Sequence, residues 1–230
     1  MKKLPGYIYR LLFFLSIIII TIAIFAFIEW LQSKLFVPKD YIMWVFKPPV
    51  SRLIFIYEIY LFLAYYFLFR KDFRGTFLRF LKRNRIKLII IFPMVNIVLL
   101  YVILTNVTVI TKTNINDYTI NTPQGRKYQY NDITNITTGV FGEKQFFGHS
   151  KGDFYYIVKF KDGKKIDWAN DVGAVKNDID ERFILNQLDK KLVNMGIPKK
   201  SSMSNFKYKT KSLDKIYTDK IKSILERKSP

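Results

Sequence analysis

Cysteine is missing from all 230 residues, which rules out disulfide staples, thiol nucleophiles and thiolate metal sites. Histidine occurs once, at His149, so a metal site there would have to recruit scattered carboxylates, and a loop residue is the simpler reading. Asp153, Asp162, Asp167 and Asp171 recur without the fixed spacing of a calcium loop. The chain has no G-x-S-x-G, no phosphate-cradling glycine loop, no H-E-x-x-H and no dinucleotide fingerprint. These absences give no support to an enzyme, a cofactor or a resident metal. Acidic residues are also scarce, 18 against 38 Lys and Arg, for a net charge of +20.

Half of the residues are hydrophobic and 17% are aromatic. A strongly basic chain would point first to nucleic acid, but the mean hydropathy of +0.05 is high for a soluble nucleic-acid binder. Three apolar runs resolve the conflict in favour of a membrane. They predict spans at about residues 11–31, 53–69 and 88–107, each close to the length that crosses a hydrocarbon core of about 30 Å. A cleaved signal peptide is the alternative for the first run, but the run is long and no A-x-A-like site follows it. None of the runs contains glycine, which disfavours tight small-residue packing and the broken helices of transporters.

Orientation follows from the flanking cations. Lys2, Lys3 and Arg10 precede the first run, and eight Lys and Arg fill residues 70–87 between the second and third. The first connecting segment holds four, at Lys34, Lys39, Lys47 and Arg52. The N-terminus and residues 70–87 are therefore expected in the cytoplasm, with the C-terminal region outside.

Beyond Lys112 the apolar pattern shortens to alternating stretches bounded by turn residues, the signature of strands. Strands are expected at 106–112, 117–121, 127–131, 133–140, 154–161 and 164–168. Turns are expected at Pro123-Gln124-Gly125 and Asp162-Gly163, and an exposed loop at 141–153. Ile179, Phe183, Leu188, Leu192 and Met195 follow helical spacing, and Gly196 and Pro198 end that helix. A sheet closed by one amphipathic helix makes a small α+β unit.

The residues Tyr128-Gln129-Tyr130-Asn131-Asp132-Ile133, Ile136, the strand Tyr155 to Phe160 before Asp162-Gly163, and the helix with Leu188, Leu192 and Gly196 resemble the bacterial pleckstrin-homology-like (PH-like) domains of small multi-pass membrane proteins. The resemblance covers about residues 106–197. It implies an antiparallel sheet rolled around a C-terminal helix and carries over no ligand.

Two places invite a functional reading. Glu58 is the one charged residue well inside a run, and an intramembrane carboxylate is a functional candidate by default. It lies about 9 Å by helical rise from Arg52, and Tyr101 of the third run falls near its level. A coupled-ion role and a structural polar contact both remain open. The segment 70–87 interleaves Arg70, Lys71, Arg74, Arg79, Lys82, Arg83, Arg85 and Lys87 with Phe73, Phe77, Leu78, Phe80 and Leu81. Such a pattern reads as an interfacial helix on anionic lipid, at ~1 kcal/mol per basic side chain near the surface. A loop tied down at both ends is a poor nucleic-acid reader.

The tail from 198 to 230 holds ten basic and three acidic residues. A polar linker there leads to an amphipathic helix that either folds back on the domain or lies on a lipid surface.

The fold class expected is thus three transmembrane helices (residues 1–111), a PH-like α+β domain (106–197) and a basic amphipathic tail (198–230). The expected role is non-catalytic recognition or sensing at a bacterial cell envelope, of an accessory or immunity type. Anionic lipid, an envelope protein or a second copy would be the partner. The competing class is a small oligomeric transporter or channel built around Glu58.

Overall fold

The structure, a computed structural model, describes residues 6–145, 149–211 and 213–229. Lys2 and Lys3, used above for orientation, and residues 146–148 of the expected exposed loop lie outside the described residues. Contacts divide the chain into two units, one of Met1–Lys34 with Arg52–Leu104, the other of Leu35–Ser51 with Thr105–Pro230.

The first unit is helical: α1 (Gly6–Phe36), α2 (Phe55–Phe69), α3 (Lys71–Arg83) and α4 (Arg85–Leu104). Among the described residues three helical stretches, Tyr7–Phe36, Val50–Phe69 and Arg85–Leu104, are long and apolar enough to cross a membrane. They are apolar on every side, and residues such as Ile19 and Ile97 stay about two-thirds exposed. In water such helices would have no polar face to present. Ile28, Ile54, Leu99 and Ile103 form the small buried cluster of this unit. With no glycine to bring backbones together, α1 and α2 meet through rings instead. Phe13 touches Tyr65 and Phe69 at centroid distances of 5.7 and 5.4 Å, and Phe25 touches Phe55 at 5.7 Å. Polar groups inside the helices bond locally: Ser16 Oγ donates to the Phe13 carbonyl and Asn96 Nδ2 to that of Phe92. Gln32, fully buried, donates from Nε2 to the carbonyls of Ile103 and Leu104 at 3.0 and 3.3 Å. It thereby caps the C-terminal end of α4, whose last carbonyls have no partner within the helix.

In the second unit nine strands are found among the described residues. In chain order they are β1 (Tyr41–Phe46), β2 (Val107–Thr111), β3 (Asn114–Thr119), β4 (Thr122–Gln129), β5 (Ile133–Val140), β6 (Phe154–Phe160), β7 (Lys165–Asp167), β8 (Val172–Val175) and β9 (Lys199–Ser201). Its helices are α5 (Glu181–Asn194), the short α6 (Phe206–Thr210) and α7 (Lys215–Glu226). One sheet runs β4-β3-β2-β1-β8 and the other β7-β6-β5-β9. All neighbours are antiparallel except β5 and β9, which are parallel. The strands at the open edges of the second sheet have three residues each, which limits the unpaired backbone they offer to other chains.

The main departure from the sequence reading is β1. Residues 35–51, expected to be a connection between spans and grouped with the membrane region, contain a strand, Tyr41–Phe46, that lies inside the first sheet. Trp44 pairs with Val109 on one side and Ala174 on the other. The run Tyr-Ile-Met-Trp-Val-Phe is rich in β-branched and aromatic residues, and it alternates. Met43 and Val45 join the main core with Ile110 and Ile115, whereas Trp44 packs on the other face with Val107 and Val109. Gly173 lets β8 lie against Trp44, because a Cβ there would come 3.1 Å from the indole.

Two further corrections concern a turn and a helix face. Residues 123–125 form no turn. The hairpin turns at Ile120-Asn121, with Thr119 opposite Thr122, and Gly125 sits inside β4 at φ +81° as an irregularity against Tyr118. The Asp162-Gly163 hairpin forms as expected, with Gly163 at φ +83° and its N–H donating to the Phe160 carbonyl. In α5 the expected stripe holds at Leu188 and Leu192, but Ile179 and Met195 are exposed, and Ile184, Leu185 and Val193 complete the buried face. Asp180 caps the helix by accepting the Arg182 N–H at 2.9 Å, and Gly196 at φ +77° ends it.

The sheet region does not close on one helix. The supposed polar linker supplies β9, and α7 folds back to bury Ile221, Ile224 and Leu225 in the same core as α5. Of the two covers open to the tail helix, protein is therefore the one it takes. Trimming Ile224, which has no exposed surface, to Ala should destabilise the domain by about 2–5 kcal/mol. Thermal unfolding of the full chain followed by tryptophan fluorescence reports this, since Trp44 and Trp168 lie buried in the unit. A helix lying on lipid would leave the transition unmoved.

Candidate functional site

Two buried carboxylates organise the polar interior of the second unit. Asp117 on β3 has no exposed surface. It accepts from Thr108 Oγ1 at 2.7 Å and pairs with Lys47 Nζ at 2.5 Å and with Lys164. Lys47, just beyond β1, also donates to the Tyr118 carbonyl. Burial pushes the Lys47 ammonium below its ordinary pKa, against the pull of Asp117. The second is Asp189 on α5, equally enclosed. It pairs with Lys199 Nζ at 2.6 Å and with Arg227, and it accepts the Tyr156 hydroxyl at 3.0 Å. Arg227 reaches Asn186 Oδ1 as well, at 2.9 Å. Burial drives the Tyr156 hydroxyl well above its ordinary pKa, and the Asp189 charge adds to this. Burial likewise lowers the Lys199 ammonium. The two clusters tie β1 to β3 and the β6–β7 hairpin, and α7 and β9 to α5. Removing one partner from such a buried pair typically costs about 3–5 kcal/mol.

A polar cleft of about 170 Å³ opens beside the first residues of α5, with Asp153, Asp167, Arg182 and Lys209 among its walls. His149 belongs to it and is half-buried, where an exposed loop residue was expected. Its ring stacks on Phe141 at a centroid distance of 3.4 Å and an angle of 5°, because the chain folds back through Gln145 N–H to the His149 carbonyl. Arg182 is held by Asp180 and Glu181 at 2.8 and 3.1 Å. Asp167 accepts from the N–H groups of Tyr156 and Ala169, both at Oδ1, at 2.9 and 3.0 Å. Burial nevertheless raises its pKa above the usual carboxylate range, and the Asp171 charge acts in the same direction. Among the described residues no group of three or more metal-type ligands comes together. Of the recurring aspartates Asp153 and Asp167 line the cleft, whereas Asp162 meets Tyr128 and Arg126 and Asp171 meets Ser51, and no local signal in the sequence distinguishes the two pairs.

Glu58 stands in the first turn of α2, half-buried, where the positive end of the helix dipole favours a carboxylate. Tyr101 is 41% exposed near the end of α4. Neither is enclosed by the unit. Within the segment 70–87, Lys71–Arg83 form an amphipathic helix, α3, as the spacing predicts, while Arg85 and Lys87 stand in the first turn of α4. Helix α3 is set off by an extended Arg70 (φ −116°, ψ 104°) and by Asn84, whose N–H and side chain both bond the Phe80 carbonyl at 3.0 Å. Phe73, Phe77 and Leu81, one turn apart, are half-buried against the neighbouring helices, while Leu78 and Phe80 remain over 40% exposed. Phe77 meets Phe67 of α2 at 5.8 Å and stacks on Phe73 at 5.6 Å. Arg70, Lys71, Arg74, Arg79, Lys82, Arg83, Arg85 and Lys87 are all exposed. The arrangement can hold anionic groups at an apolar surface.

Compared with known proteins, the chain matches no protein-family model, no curated protein and no solved structure.

Asp167 yields a pH-dependent test. Its folded pKa is raised, so ionisation costs stability above that pKa, and the cost disappears as the pH falls through it. Asn keeps the oxygen that accepts both N–H bonds. Asp167→Asn should therefore raise the unfolding temperature of the full chain at pH 7, and the advantage over wild type should shrink as the pH is lowered toward the ordinary carboxylate pKa. An equal or lower midpoint at pH 7 would show that the carboxylate is better supported than its burial implies.

Proposed function

We propose that this chain is a non-catalytic, multi-pass protein of a bacterial cell membrane that presents a PH-like recognition or sensing domain outside the cytoplasm, in an accessory or immunity-type role. Three spans and a cytoplasmic N-terminus follow from the apolar helices and the basic segment 70–87. The PH-like reading draws on two mainly antiparallel sheets sharing one core with α5. Strand β1, strand β9 and helix α7 are additions to the region that carried the resemblance.

The observation that carries the sensing role is β1. This inner strand of the five-stranded sheet is joined to α1 by residues 37–40 and leads through Lys47 and the turn Val50–Ile54 directly into α2. A partner that strains the sheet would thus pull on two spans through short connections. The buried charges of the domain are committed to holding β1 and α7 in place, which suits a binding scaffold. An envelope protein or a second copy is the partner class, and no nucleic acid is involved.

Since the chain has no native cysteine, topology can be read from single replacements at Lys39, Thr76 and Ser202, all exposed. An impermeant maleimide added to intact cells should label positions 39 and 202 and spare 76. Labelling at 76 alone would reverse the orientation and place the domain in the cytoplasm.

The competing transporter or channel would need Glu58. Replacing it with Gln should leave ion flux in reconstituted vesicles unchanged. A flux present in wild type and lost in Glu58→Gln would favour the transporter over a non-catalytic sensing protein.

A further inference from the structure

An apolar slot of about 880 Å³ opens between α2, α3 and α4. Ala64 and Phe67 of α2, Phe77 and Phe80 of α3, and Leu88 and Phe92 of α4 are among its walls. Aromatic contacts brace it: Phe67 against Phe77 at 5.8 Å and Tyr60 against Phe92 at 5.5 Å. The walls are almost wholly hydrocarbon, so water gains no hydrogen bonds there, and an alkyl chain is the chemistry that fits. The charge around it is one-sided. Arg74 precedes Phe77 by three residues and Arg85 precedes Leu88 by three, so each arginine stands one helical turn before a wall residue on the same side of its helix. Six further cations occupy the same segment, and Asp72 is the single acid within it.

We infer that this slot is a binding site for one anionic phospholipid, with an acyl chain between the helices and the phosphate group held by Arg74 and Arg85. A zwitterionic phospholipid would fill the slot and offer a phosphate, but would also bring its own ammonium among the cations of this segment. Free phosphate would satisfy the cations and leave the slot empty. A phospholipid with net negative charge satisfies both: Arg–phosphate contacts seat the headgroup, and the lack of a headgroup cation among the basic residues of this segment supplies the selection over zwitterionic lipid. Anionic lipid of the cytoplasmic leaflet would then act as a wedge that fixes α3 to the spans, beyond the general attraction of a basic surface for a charged membrane. The inference rests on the reading of these helices as membrane spans.

The full chain reconstituted in nanodiscs of equal phosphatidylglycerol and phosphatidylcholine, then released for native mass spectrometry, provides the test. Wild type should retain one phosphatidylglycerol in preference to phosphatidylcholine by about tenfold, a difference of about 1.4 kcal/mol. Ala64→Trp, which puts an indole into the slot, should markedly reduce the retained lipid. The double variant Arg74→Gln/Arg85→Gln should keep one lipid and lose the preference. Equal retention of the two lipids by wild type would overturn the inference, as would Ala64→Trp that holds phosphatidylglycerol unchanged, or a lipid-free dimer. A wild-type chain that does not enter nanodiscs at all would overturn the bilayer reading, and this one with it.

Discussion

Pairing of β1 with both β2 and β8 is the constraint on which the second unit depends. It places residues 41–46 between strands that follow by about 60 and 130 residues, and it divides the five-stranded sheet's side chains between two apolar clusters. Without β1, β8 would have no neighbour in that sheet, and Trp44 would leave Val107 and Val109 uncovered. The chain crosses between the two units three times, near residues 34, 51 and 104. Two of those crossings exist because of this strand.

The buried ions follow from the same geometry. A strand brought in from a distant segment must be held in register, and apolar contact alone is poor at choosing between registers two residues apart. Lys47, at the exit of β1, meets Asp117 on β3 at one oxygen while Lys164 meets it at the other. The Asp189 cluster does similar work at the C-terminal side, where Lys199 follows α5 and Arg227 follows α7. Each carboxylate has two cationic partners and a hydroxyl donor, the satisfaction that low-dielectric burial demands. In both places charge specifies which segments meet, and the surrounding Ile, Val and aromatic side chains supply the burial.

Much of this is legible in the chain, for identifiable reasons. The three apolar helices announce themselves by length, α3 by helical spacing of Phe73, Phe77 and Leu81 among cations, and β5 and β6 by alternation. Ile133–Val140 matches its expected bounds. What escapes is long-range. The run 41–46 has β propensity, but nothing in its local pattern says which strands will flank it. Gly125 reads as a turn because the same positive φ serves a strand irregularity. The tail's apolar stripe at Ile221, Ile224 and Leu225 is clear, yet the choice between lipid and protein as its cover depends on α5, with which it shares no local signal. For the polar cleft, single aspartates carry no mark of convergence. Glu58 is conspicuous by charge and proves to be open-sided, whereas Gln32, an uncharged residue with no such flag, makes the buried polar contact of the helical unit.

The position of β1 also sets an order of events during synthesis. The strand leaves the ribosome about 60 residues before β2, a wait of about 3–12 s at ordinary elongation rates. Through that interval α2 to α4 are made while Tyr-Ile-Met-Trp-Val-Phe has no partner in its own chain. A nascent molecule therefore displays a six-residue apolar strand with both edges free. If a neighbouring chain offers its β2 first, the strand can be exchanged between copies at little energetic cost, since the exchanged strand makes the same pairings as in the monomer. Crowding of nascent chains would consequently favour strand-swapped pairs, and sparse expression would favour the closed single chain.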